Sequence, residues 1–159
     1  MDQIHQIKNW LAQQQSTEMR EVNPEKKRGF IALFDGGSKA DKIATAKMLG
    51  DEFNKVVHQI SLSKKVSKYI GETEKNLAEI FNKAENKNWI LFFDEADALF
   101  GKRSDIKDAH DKYANIEIAY LLQKAEHYSG LVIFSTQLKE NINDSIVRRF
   151  HSVVRFPIV

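Results

Sequence analysis

A regular alternation constrains this chain more than any other feature. Short runs rich in β-branched and aromatic residues, "FIALF" (30–34), "VVHQI" (56–60), "WILFF" (89–93), "LVIFS" (131–135) and "SVVRF" (152–156), are spaced along it and predict five strands. Helix-length segments lie among them at residues 41–53, 72–86 and 111–126, the second with Leu77, Ile80, Phe81 and Ala84 on one face. Strands separated by helices imply right-handed crossovers, hence a mainly parallel sheet with helices on both faces. "WILFF" is apolar at every position, as a central strand covered on both sides must be. The predicted fold class is therefore α/β, a three-layer sandwich around a five-stranded, mainly parallel sheet.

Upstream, Ile4, Ile7, Trp10 and Leu11 recur at helical spacing and predict an amphipathic helix over residues 1–15, able to dock on the body or on a partner. The charged, proline-containing "STEMREVNPEKKR" (16–28) reads as a linker to one globular unit over 29–159. Lys and Arg number 24 against 22 Asp and Glu, both signs scattered, which describes a solvated surface and disfavours nucleic acid as a partner. There is no cysteine, so thiol chemistry and disulfides are excluded. The N-terminus lacks the form of a leader, and no apolar run reaches the ~20 residues of a membrane span. The expectation is a cytoplasmic protein without membrane contact.

Ligands in such sheets bind beyond the carboxyl ends of the strands. After the first strand comes "DGGSKADKI" (35–43). Gly36 and Lys42 stand at the separation of a phosphate-binding loop, G-x-x-x-x-G-K-[ST]. That loop wraps phosphates in backbone N–H groups, sends lysine to the terminal phosphates and holds magnesium on a hydroxyl. The candidate cofactor-binding residues are Gly36, Gly37, Ser38, Lys39, Ala40, Asp41, Lys42 and Ile43. Two depart from the pattern: Asp41 stands at the second glycine and Ile43 at the Ser/Thr. A carboxylate ~4 Å from a phosphate charge, at an effective dielectric near 20, costs ~4 kcal/mol, roughly a thousandfold in affinity. Isoleucine offers magnesium no ligand. Two strands later the apolar run ends in "DEAD" (94–97), where Asp94 is the candidate metal residue and Glu95 the candidate activator of an attacking water.

Further motifs follow in order: "SKYIGETEKNLAEIF" (67–81), "ILFFDEADALFGKR" (90–103), "STQ" (135–137) and "SIVRRFHSVVRFP" (145–157). Together with the loop they resemble the AAA ATPases, ring-forming members of the P-loop class, over roughly Lys27 to Pro157. The resemblance implies ATP and Mg2+ as cofactors and ATP hydrolysis coupled to protein remodelling. It makes Tyr69, Ile70 and Gly71 a pore loop gripping a protein substrate, and Asp94–Glu95 the Walker B acids. It places Gln137 at the sensor-1 position, where the family usually has Asn, and implies that Arg148 or Arg149 is an arginine finger acting on a neighbouring subunit. Partners would be a protein substrate or assembly, and homo- or hetero-oligomers with AAA relatives. The resemblance stops at "RFPIV", so residues 29–159 are expected to form the family's large α/β subdomain with the small helical lid absent. With Asp41 and Ile43 in the loop, activity is expected to be weak or lost. The alternative is a non-hydrolysing pseudo-ATPase subunit or protein-interaction module.

Overall fold

The computed structural model describes residues 2–19, 29–61, 72–96, 119–137 and 144–157. In chain order these form α1 (Asp2–Met19), β1 (Phe30–Gly36), α2 (Lys39–Glu52), β2 (Val57–Ser61), α3 (Glu72–Lys87), β3 (Ile90–Asp94), helical residues 119–127, β4 (Leu131–Thr136), the short α4 (Asp144–Val147) and β5 (Ser152–Phe156). Two helices differ from the sequence reading. α1 runs past residue 15 to Met19, into the segment read as linker. α2 begins at Lys39, not 41, because Ser38 caps it: the Ser38 hydroxyl accepts the Asp41 N–H at 3.0 Å and the Ser38 carbonyl accepts the Lys42 N–H at 3.2 Å.

The strands form one sheet in the order β2-β3-β4-β1-β5, every pairing parallel. The side-chain period of two then sorts each central strand between two cores. Ile31 and Leu33 of β1, Leu91 and Phe93 of β3, and Val132 and Phe134 of β4 share one core with Leu77, Phe81 and Ala84 of α3 and with Leu121, Leu122 and Ala125. Phe30, Ala32 and Phe34, Ile90 and Phe92, and Leu131 and Ile133 face the other way, onto Ile7 and Leu11 of α1 and Ala46 and Leu49 of α2. All five residues of β3 are buried, which accounts for the unbroken apolar run. The Phe93 and Phe134 rings stack 5.1 Å apart between β3 and β4. At the far edge, His151 clasps β1: its N–H donates to the Ile31 carbonyl at 2.8 Å and its Nδ1 accepts the Ile31 N–H at 2.9 Å.

This order places the carboxyl ends of β3, β4 and β1 side by side. Asp35 pairs with Thr136, and Ser61 with Asp94, in the register of the sheet. The loop after β1, the acids after β3 and the polar end of β4 therefore meet on one rim.

Candidate functional site

Gly36 and Gly37 leave β1 with φ of 77° and 61°, a backbone that side-chain-bearing residues avoid. Gly37 is also crowded: a Cβ there would lie 2.6 Å from Cβ of Phe156 at the end of β5. The turn delivers the chain to Ser38, and α2 starts at once. Asp41, third residue of α2, is exposed. Lys42 is 1 % exposed, and its ammonium donates to the Thr136 carbonyl at 2.8 Å. Ile43 is half-buried against the core beneath α1 and α2.

Across the rim, Asp94 is 4 % exposed. Its Oδ1 accepts the N–H of Glu95 at 2.9 Å, and its Oδ2 lies 2.9 Å from Nζ of Lys39. The same ammonium lies 3.8 Å from Oε1 of Glu95. The Asp94 carboxylate beside it, with a smaller part from Glu95, raises Lys39 above its ordinary pKa. Glu95 itself has φ of 59°, a conformation that costs a residue with a Cβ about 1 kcal/mol or more. The turn is held from both sides: the Ser61 hydroxyl donates to Glu95 Oε2 at 3.4 Å, and the Ala96 N–H donates to the Ser135 carbonyl at 2.9 Å. Between the two halves lies a cavity of about 360 Å³ lined by Lys39, Lys42, Asp94, Glu95, Ser135, Thr136 and Gln137.

The structure thus brings Lys39 and Lys42 of the loop together with both acids and Gln137, while Asp41 and Ile43 do not line the cavity. Arg148 and Arg149 stand apart from this cavity on the surface after α4, and both Nε and Nη2 of Arg149 meet Glu126 Oε1 at 2.6 Å. Tyr69, Ile70, Gly71 and Asp97 lie outside the described residues. Two contributors went unread in the sequence. Ser61 carries no signal beyond ending a strand. The Lys39 ion pair depends on β3 and β1 lying one strand apart, which spacing alone does not give.

The model of the ATPase family associated with various cellular activities (AAA) matches residues 33–158, a span from β1 through β5 that includes every residue lining the cavity. The chain belongs to the AAA ATPase family. It is 29% identical over 124 residues to the uncharacterized AAA family ATPase y4kL of Sinorhizobium fredii, covering 78% of this chain and 38% of that protein. Cell division protein C of Sulfolobus acidocaldarius is 30% identical over 141 residues, covering 82% of this chain and 37% of its own length. Vacuolar protein sorting-associated protein 4B of Mus musculus is 30% identical over 134 residues, covering 82% and 30%. The chain therefore spans little more than a third of these relatives at most.

The AAA family is one of nucleotide-binding domains, typically with Mg2+. The residues of this AAA chain do not fit the metal. The residue at the hydroxyl-ligand position is an isoleucine packed on an apolar core, and the buried carboxylate already faces an ammonium. Mg2+ needs near-octahedral oxygen ligands, and this rim supplies it neither the hydroxyl nor an uncommitted Asp94.

Proposed function

We propose that this chain is a AAA ATPase module in which turnover is weak or lost, and which works through protein partners. The observation that carries the reading is the Lys39 ammonium seated on Asp94 while Ile43 turns into the core. Both features oppose the metal on which the family's phosphoryl chemistry relies. Asp41 adds negative charge where phosphates would lie. Lys42, held by the Thr136 carbonyl, would have to break that contact to reach a phosphate. What persists is the scaffold: a parallel sheet with both layers of helices. It suits a role in assembly, with intact AAA relatives or with a protein substrate, and the mixed surface charge gives nucleic acid no basic stripe to follow. Among the described residues no helix is long and apolar enough to cross a membrane.

A second reading, sustained ATP hydrolysis, is favoured by the retention of Glu95 at the cavity wall. Calorimetric titration with Mg-ATP to several millimolar, followed by a phosphate-release assay on wild type and Glu95→Gln, separates the two. The proposal expects little heat and turnover near background. Binding in the tens of micromolar, with turnover well above background that Glu95→Gln abolishes, would replace it with a working ATPase.

A further inference from the structure

We infer that Lys39 is a resident counter-ion, its ammonium standing against Asp94 and Glu95 where a divalent cation stands in the family, so that the chain itself keeps the metal out. The inference rests on the reading of this chain as a AAA module with weak or lost turnover, and says what shuts the site. Asp94 is nearly inaccessible, and a buried carboxylate needs a positive partner or a full set of donors. Oδ1 has the Glu95 N–H, and Oδ2, which no group in the described residues hydrogen-bonds in good geometry, has Nζ of Lys39 as an ion pair at 2.9 Å. Lys39 reaches it from a fixed base, because the Ser38 cap sets Lys39 as the first residue of α2. One ammonium serves both acids, lying 3.8 Å from Glu95 as well.

The two kinds of cation make different demands. An ammonium donates three hydrogen bonds in loose geometry and needs no hydroxyl ligand. A magnesium ion needs tightly placed oxygens, and Ile43 offers none. Two cations in contact with the same carboxylate repel, so Lys39 and a metal compete for Asp94. The exchange of Ser or Thr for isoleucine at 43 and the lysine at 39 are then two halves of one change: the metal loses a ligand, and the acid it leaves behind acquires another partner.

The test needs no nucleotide, so it is decided independently of whether ATP binds or turns over. Thermal unfolding is followed for wild type, Lys39→Met, Asp94→Asn and the double variant, each in chelator and in millimolar MgCl2 or MnCl2. Lys39→Met is expected to unfold about 3 °C or more below wild type in chelator. Mg2+ or Mn2+ is expected to recover much of that loss in Lys39→Met and to leave wild type and the double variant unmoved. Equal metal response of wild type and Lys39→Met would overturn the inference, as would a Lys39→Met protein that metal does not raise. Should Lys39→Met fail to fold, loss of the free Mn2+ paramagnetic resonance signal on titration into wild type decides the matter. No uptake at millimolar metal is expected, and uptake abolished by Asp94→Asn would refute the proposal.

Discussion

Replacing Asp41 by glycine sets two effects against each other, and their sizes can be worked separately. Asp41 is exposed in the first turn of α2, and it is its backbone N–H that bonds Ser38 Oγ, so the cap survives the substitution. What is lost is a carboxylate at the positive end of a helix, worth about 0.3–1 kcal/mol. Glycine's poorer helix propensity adds about 0.3 kcal/mol. Together these predict a loss near 1 kcal/mol, a fall of about 2–4 °C in unfolding midpoint for a chain of this size. On the binding side, one negative charge disappears, and for a phosphate bound about 4 Å from it this would relieve about 1 kcal/mol at the dielectric of water and about 4 at an effective value of 20. Exposure places Asp41 between those limits, so pyrophosphate or metal-free ATP should bind roughly 5- to 1000-fold more tightly to Asp41→Gly than to wild type. Calorimetric titration measures the second effect and scanning calorimetry the first. A variant that melts lower yet binds the anions within about twofold of wild type would refute the charge reasoning. The Lys42–Thr136 contact and the Lys39–Asp94 pair would then be the obstacle.

Two other expectations concern the frame around the site. Gly37→Ala places a Cβ in the left-handed region and 2.6 Å from Phe156 Cβ, so it should cost about 2 kcal/mol and lower the midpoint by about 4–8 °C; an unchanged midpoint would mean the loop relaxes freely. Tyr128 is buried, and its hydroxyl donates to the carbonyls of Ala84 and Trp89, so burial raises the phenol well above its ordinary 10.0. The neutral phenol is the form the fold favours, so its contribution is whole below pH about 10 and declines as pH rises further. Tyr128→Phe should lose about 1–2 kcal/mol at neutral pH and soften that alkaline decline in a urea titration. A decline of equal slope in both proteins would assign it to other groups.

The sheet was legible because its evidence is local: each strand falls within about two residues of an apolar run, and only a doubly covered strand reads like 89–93. The α2 boundary was less so. The phosphate-loop pattern draws attention to residue 41, yet a serine three residues ahead of an acid is a cap, and the cap sets the start at Lys39. Asp94, Glu95 and Gln137 could be located from strand ends alone. What they touch could not, because contacts such as Ser61 with Glu95 and Lys39 with Asp94 join segments far apart in sequence. The left-handed Glu95 was equally hidden, since a turn clamped by β2 and β4 imposes that backbone and no residue type announces it.

The N-terminal helix bears on where this protein can be cut. The family match begins at residue 33, inside β1, and a recombinant boundary drawn just upstream of that strand would discard α1 while keeping β1. Ile7 and Leu11, both 0 % exposed, would leave behind the faces of Phe30 and Val154, on β1 and the edge strand β5. Apolar surface bared beside an edge strand can template pairing between molecules. A shortened version chosen by homology would then precipitate for reasons unrelated to its nucleotide chemistry, and a failed binding assay on it would say nothing about Lys39 or Asp41.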